Sequence, residues 1–172
     1  MSGANVHRTR MGAATGRAAG RMLVTTTAPR TEIIGLATIS AQNARTPDSS
    51  SSPAALAALA AAQQEPDGDW QDIALALARQ IGPDRSAADA ALKTLIDKWA
   101  GAAPYQIAEV YALRNDAKET FAWLDRAWIN RDPGITLVLF DPFILRYKDD
   151  PRFAAFCKKV GLPTPAEVGK RT

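Results

Sequence analysis

Apolar residues recur at helical spacing in two groups between Pro104 and Pro133. The first group comprises Ile107, Ala108 and Tyr111, and the second comprises Phe121, Leu124, Ala127 and Trp128. Residues three and four apart lie on the same side of an α-helix, so each group forms one apolar face. The polar pair Asn115-Asp116 separates the groups. The pattern therefore predicts a helical hairpin in which each helix has an apolar stripe to bury.

The same pattern occurs upstream, which indicates an internal repeat. The residues that precede Pro104, Ile107, Ala108 and Tyr111 by 34 positions are Trp70, Ile73, Ala74 and Leu77. The residues that precede Thr120, Phe121, Leu124 and Trp128 by 29 positions are Ala91, Leu92, Leu95 and Trp99. The smaller second offset places a longer turn at Gly82-Pro83, a pair that stops a helix. Because one hairpin cannot bury both of its stripes, we expect the two hairpins to stack.

This spacing, with a small residue three positions before an aromatic one, resembles the tetratricopeptide repeat. The resemblance runs through Ala108, Tyr111, Asn115-Asp116, Phe121, Leu124, Ala127 and Asp132-Pro133. It departs from the family pattern at Pro104 and Thr120, and the upstream unit has Lys98 where the downstream unit has Ala127. The resemblance implies an all-α fold, a short α-solenoid of about two such hairpins followed by C-terminal capping helices.

Residues 105–163 also resemble the C-terminal end of tetratricopeptide segments in larger bacterial regulatory proteins. The similar features are Y-Q-I-A-E-V-Y-A, R-D-P-G, D-P-F and D-D-P-R-F. Those proteins often carry a winged-helix, kinase or nucleotide-cyclase domain at their other end. The resemblance therefore implies an alternative, in which the chain is a C-terminal fragment or regulatory segment of a larger regulator.

Capping residues set the predicted helix boundaries. We expect helices at 53–64, 70–81, 86–100, 104–114, 117–130 and 151–160. The expected N-caps are Ser52, Asp69, Ser86, Asp116 and Asp150, whose side chains accept a hydrogen bond from the first helical turn. In the first helix, Leu56 and Leu59 are expected to face inward. The stretch 136–140 is ambiguous, with a helical turn favoured over a strand, and Asp141-Pro142 begins a further short helix.

Charge and composition divide the chain into three parts. Residues 1–52 hold six arginines against Glu32 and Asp48, a net charge of +4, and end in a run of serines. We expect a disordered basic tail at 1–52, a helical domain at 53–163 and a disordered C-terminus at 164–172. A short strand or helix at 22–39 is the alternative. The tail lacks lysine and interleaved aromatic residues, so we expect solvated chain rather than a nucleic-acid-binding arm.

The composition indicates a soluble cytoplasmic protein. The chain is 47% hydrophobic, enough for one modest core. It has no run of 18 apolar residues, so we expect no membrane span. Cys157 is the single cysteine, which excludes an intrachain disulfide and fits a reducing compartment.

No catalytic or cofactor site is predicted. The single histidine, His7, lies in the tail. Cys157 lies at core spacing with Phe153 and Val160, which favours a buried structural thiol over a reactive one. Asp141, Asp149 and Asp150 suit helix starts better than a carboxylate or cation site. We therefore expect no enzyme activity, no cofactor and no metal.

A binding module is the function that remains. In tetratricopeptide arrays the first helices of the hairpins line a concave groove. The resemblance places in that groove Gln71, Leu75, Ala78, Arg79, Tyr105, Glu109, Ala112 and Leu113. We expect a protein or peptide partner with apolar anchors, because the set lacks a basic cluster. The alternatives are that these residues pack on upstream chain or on residues 1–52, or that an exposed upstream face on the first two helices causes self-association.

Overall fold

The computed structural model describes residues 53–168, which are helical with no strand in that range. The α-helices are α1 (Pro53–Gln63), α2 (Asp69–Ile81), α3 (Arg85–Trp99), α4 (Pro104–Leu113), α5 (Ala117–Ile129), α6 (Pro151–Val160) and α7 (Pro165–Val168). Two 3-10 helices lie between α5 and α6, η1 (Pro133–Leu137) and η2 (Ile144–Tyr147). The all-α prediction is confirmed for this range. The predictions for the tail 1–52, with His7 and Ser52, and for residues 169–172 lie outside the described residues.

Two of the predicted N-caps are confirmed. Asp116 accepts a hydrogen bond through Oδ1 from the Glu119 N–H at 3.1 Å, at the start of α5. Asp150 accepts one through Oδ1 from the Arg152 N–H at 2.9 Å, at the start of α6. In both cases a short carboxylate side chain satisfies an N–H group that has no partner within the helix.

Two other helices begin at a different residue than predicted. Helix α2 begins at Asp69 itself, and the preceding residue, Gly68, provides no side-chain cap. Helix α3 is capped by Asp84, whose Oδ1 accepts from the Ala87 N–H at 2.9 Å. Ser86 therefore lies inside the first turn of α3. Both assignments were wrong by one or two residues, because several neighbouring residues in these turns have cap chemistry.

The helices pack as consecutive pairs around one apolar core. Helix α2 packs on α1, α3 and α4, and α4 packs on α5 and on both 3-10 helices. Fully buried side chains from four helices meet in the core, among them Leu77, Leu95, Ile107 and Leu124. The pairs α2–α3 and α4–α5 correspond to the two predicted hairpins.

The segment after α5 covers the last pair. The helical turn expected near 136–140 is the 3-10 helix η1 and the residues that follow it, and Ile135 and Val138 there are buried. Helix η2 packs on α4, and α6 packs on α5. Their buried side chains, Phe143, Ile144 and Phe153, join the same core.

Three large apolar side chains expected inside are exposed. Leu56 is 61% exposed, because α1 contacts α2 through the alanines Ala55, Ala58 and Ala62 and so turns Leu56 away. Trp70 and Trp128 are 45% and 41% exposed. Both lie at helix ends, where a stripe defined by periodicity extends past the neighbour that would cover it.

The chain remains structured beyond the expected boundary at 163. Thr164 is buried, and its N–H and hydroxyl donate to Glu167 Oε2 at 2.7 and 2.8 Å. In a capping box, the side chain of the third helical residue accepts a hydrogen bond from the backbone N–H of the N-cap, and Glu167 does so here for Thr164. Helix α7 begins at the next residue, Pro165. No helix within residues 53–168 combines the length and apolarity needed to cross a bilayer.

Candidate interaction surface

The eight residues predicted to line a groove do not form an open surface. Ala78, Tyr105, Glu109 and Ala112 are buried. Gln71, Leu75, Arg79 and Leu113 are half-buried. Gln71 also donates a hydrogen bond to the Glu65 carbonyl at 2.9 Å, so its amide is used within the chain. In this conformation a partner cannot reach the four buried members of the set.

The segment that contains η1 and η2, which we call the C-terminal segment, covers the face of α4 that was expected to be free. Eight of the ten residues of α4 are buried, so the helix is enclosed on almost every side. Its neighbours are α2, α3, α5, η1 and η2. Among residues 53–168, helix α4 is therefore the central element of the packing.

Tyr105 fixes this arrangement through two aspartates. Its backbone N–H donates to Asp132 Oδ2 at 3.0 Å, and its hydroxyl donates to Asp141 Oδ2 at 3.0 Å. The second oxygen of Asp132 accepts from the Gly134 N–H at 2.8 Å. The second oxygen of Asp141 accepts from the Phe143 N–H at 2.7 Å. Each aspartate thus ties a turn of the C-terminal segment to the start of α4.

Close contact with the Tyr105 ring requires glycine at position 134. A Cβ atom added to Gly134 would lie 2.5 Å from Tyr105 Cγ, much closer than packed atoms approach. The backbone of η1 therefore rests directly on the aromatic ring. The Asp-Pro pairs at 132 and 141 consequently hold the segment in place as well as opening short helices.

The three carboxylates that could have formed a catalytic or cation site, Asp141, Asp149 and Asp150, have separate structural partners. Asp149 pairs with Lys148 at 2.6 Å on the surface. Asp150 bonds the Arg152 guanidinium at 2.7 Å, and this hydrogen bond holds the pKa of the Asp150 carboxyl below its usual value. Asp141 is buried and bonded to Tyr105. The three carboxylates therefore serve different contacts, and no group of three or more potential metal ligands occurs within residues 53–168.

Cys157 lies in the core, as predicted. It is fully buried on α6, and desolvation raises the pKa of its thiol. A raised pKa keeps the thiol protonated at neutral pH, and the thiolate is the nucleophilic form. This environment is that of a structural cysteine.

Two arginines connect helices that are distant in the sequence. Arg114, at the end of α4, donates through Nε to Gln80 Oε1 of α2 at 2.9 Å. Arg146, in η2, donates through Nη1 to the Ala112 carbonyl of α4 at 3.1 Å. The same side chain also donates to Asn115 Oδ1 at 2.5 Å. Each arginine thus bonds a residue 34 positions earlier in the chain.

An apolar pocket lies beside the C-terminal end of α5, and we call it the α5-end pocket. Its volume is about 560 Å³, and it is lined by Trp128, Ile129, Arg131, Asp132, Ile135 and Thr136. Ile129 is 74% exposed and Trp128 is 41% exposed. Large apolar side chains at such exposure, around one concavity, are typical of binding surfaces.

A tight turn fixes the rim of this pocket. The Asp132 N–H donates to the Ala127 carbonyl at 2.9 Å, and the Arg131 N–H donates to the Trp128 carbonyl at 3.1 Å. These bonds close the end of α5 in the manner of a Schellman motif, with Arg131 in the left-handed region at φ 56°. Glycine is the usual residue at this position, so arginine there is unusual.

Sequence reasoning missed Ile129 and Arg131. Ile129 follows the predicted stripe and does not belong to it, so it was not assigned to any surface. The signal available was the run W-I-N-R-D-P at residues 128–133, in which two bulky apolar residues precede a helix stop without glycine.

In comparisons with protein-family models, curated proteins and solved structures, the chain matched nothing.

Proposed function

We propose that the chain is a non-catalytic protein-interaction module of the tetratricopeptide-like type. The observation that carries this proposal is the α5-end pocket. Full burial of a side chain such as Ile129 is favourable by about 1.5–3 kcal/mol of free energy. Packing within residues 53–168 does not provide this stabilisation, because Ile129 remains exposed. A partner that covered Ile129 and Trp128 would gain it. The single buried cysteine, Cys157, fits a module of the cytoplasm.

The packing of the helices supports the solenoid part of this proposal. Helix α2 contacts α4, and α4 contacts η2, so first elements of consecutive units adjoin. Helix α5 contacts α6, so second elements adjoin as well. The segment from η2 to α6 then stands as a third, shortened unit. Arrays of this kind need about three units to bury their apolar faces.

The exposure of Leu56 favours a second candidate function. Helix α1 has α2 as its principal neighbour within residues 53–168, and Leu56 is 61% exposed on it. A helix of another domain would cover this face. The chain would then be a regulatory segment of a larger bacterial regulator, with the activity elsewhere.

Site-specific photocrosslinking distinguishes the two candidates. A photoreactive amino acid replaces Ile129 in one variant and Leu56 in a matched variant, since both side chains are exposed. Crosslinking is carried out in the source cells, and the products are identified by mass spectrometry. The interaction module predicts a defined protein product from position 129, which forms again when the purified partner is mixed with the chain. A product from position 56 alone supports the regulatory segment, and no product from either position contradicts both.

A further inference from the structure

We propose that the α5-end pocket binds a segment of a partner protein that combines an apolar anchor with a neighbouring carboxylate, so that the anchor enters the pocket and the carboxylate pairs with Arg131. This inference rests on the proposed function and specifies the partner's chemistry. The pocket is an open concavity of about 560 Å³ at the protein surface. Trp128, Ile129 and Ile135 supply the apolar surface for the anchor.

The charge exposed at the pocket is positive. Two charged residues line it, Arg131 and Asp132. Asp132 is buried, and its two carboxylate oxygens accept hydrogen bonds from the backbone N–H groups of Tyr105 and Gly134. Its negative charge therefore faces these N–H groups and not the solvent. Arg131 is exposed, and none of the ion pairs among the described residues includes it. A guanidinium beside an apolar pocket is complementary to a carboxylate beside an apolar side chain.

The backbone turn at Arg131 fixes the point at the pocket rim from which this side chain extends. The residue has a left-handed conformation, which disfavours a residue with a Cβ atom, and two backbone hydrogen bonds close the turn around it. The turn after α4 provides a comparison, because Asn115 is also left-handed, at φ 59°. The Asn115 side chain is used within the chain, as an acceptor for Arg146. The Arg131 side chain has no such internal role among residues 53–168, which supports an external one.

A second copy of the chain is the competing occupant. Trp70 is 45% exposed and lies near Asp67 and Asp69 in the sequence, so it also combines an apolar anchor with carboxylates. Its contact with the α5-end pocket would join two different surfaces, however. Such heterologous contacts produce open filaments unless the rotation closes a ring. We therefore favour a separate partner.

Selection from a random peptide library tests the proposal. Phage displaying 16-residue random peptides are panned on the full chain, and enriched sequences are synthesised with a fluorescent label. We expect enriched peptides in which a large apolar residue has an Asp or Glu next to it. Affinity is measured by fluorescence anisotropy, at low and high salt. Because an ion pair at the rim is screened, binding should weaken as salt increases.

Three variants and one control separate the contributions. Ile129→Asp should abolish binding, and Arg131→Gln should weaken it about tenfold and remove most of the salt dependence. Arg131→Gly should also weaken binding while raising the melting temperature, since glycine suits the left-handed turn. Weaker binding together with a higher melting temperature would exclude misfolding as the cause of the weaker binding. Lys118→Gln removes an exposed charge at the opposite end of α5 and should leave binding unchanged.

The outcomes separate this inference from the proposed function. Enriched peptides without an acidic residue, or equal binding by Arg131→Gln and the natural chain, would overturn the inference and leave the interaction module standing. Binding that is insensitive to Ile129→Asp would overturn the assignment of the surface. Concentration-dependent filaments that Trp70→Ala abolishes would identify the second copy as occupant instead. No enriched peptide, together with no crosslink from position 129, would remove both proposals.

Discussion

The hydroxyl of Tyr105 donates a hydrogen bond of 3.0 Å to Oδ2 of Asp141, 36 residues further along the chain, and both side chains are buried. This bond joins the first turn of α4 to the segment that covers it. A buried hydroxyl–carboxylate contact of this kind depends on both partners, because either group left alone would be desolvated without compensation. The position of the C-terminal segment on α4 therefore depends on a contact between distant parts of the sequence.

Removing the Tyr105 hydroxyl should destabilise the fold. Tyr105→Phe leaves Asp141 Oδ2 without this donor in a buried site, and we expect a loss of about 1–3 kcal/mol of unfolding free energy. Urea denaturation followed by circular dichroism measures it. Tyr147→Phe is the matched control, because the buried Tyr147 hydroxyl has no hydrogen-bond partner among the described residues. Equal effects of the two substitutions would show that the Tyr105–Asp141 bond contributes nothing specific.

A methyl group at position 134 should displace η1 from the Tyr105 ring. The added Cβ of Gly134→Ala would lie 2.5 Å from Tyr105 Cγ, and overpacking of this kind typically costs about 1–3 kcal/mol. Gly101→Ala is the control, since nothing lies within 4 Å of a Cβ there. Thermal unfolding of both variants measures the difference. A Gly134→Ala protein as stable as Gly101→Ala would mean that η1 does not rest on the ring.

The inter-helix position of Leu124 can be tested in the same way. Leu124 is fully buried on α5, and Leu124→Ala should cost about 2–5 kcal/mol. Leu56→Ala makes the same chemical change at a residue that is 61% exposed, and it should alter stability by no more than about 0.5 kcal/mol. The midpoint of urea denaturation reports both. A large effect at Leu56 would indicate that α1 is covered by chain outside the described residues or by another molecule.

The Asp150–Arg152 contact should make stability depend on pH at the acidic end. The Arg152 side chain and backbone hold the pKa of Asp150 below its usual value of 3.8 in the folded protein. Its contribution is therefore fully present above that value and is lost as the pH falls through the lower folded pKa. Asp150→Asn keeps an N-cap and removes the charge, so the stability gap to the natural chain should be widest near neutral pH and close on acidification. Denaturation curves at a series of pH values measure this gap, and a gap that is constant with pH would contradict it.

The helices and their order follow from local sequence. The stripes that contain Ile73 and Leu77, and later Phe121 and Leu124, define which face of α2 and α5 is buried. The caps Asp116 and Asp150 define where α5 and α6 begin. These features act within one or two helical turns, so no knowledge of neighbours is needed to read them.

For residues 53–168 the sequence alone determined an all-helical fold with consecutive helix pairs, because helix periodicity and cap chemistry are local. The tertiary structure decided which faces stayed open. It buried Tyr105, Glu109 and Ala112, bonded the start of α4 to Asp132 and Asp141, and left Ile129 and Arg131 at the surface. Periodicity orients a side chain about its own helix axis only. Whether another element lies on that side depends on contacts between residues far apart in the sequence, and those are fixed only when the whole chain packs.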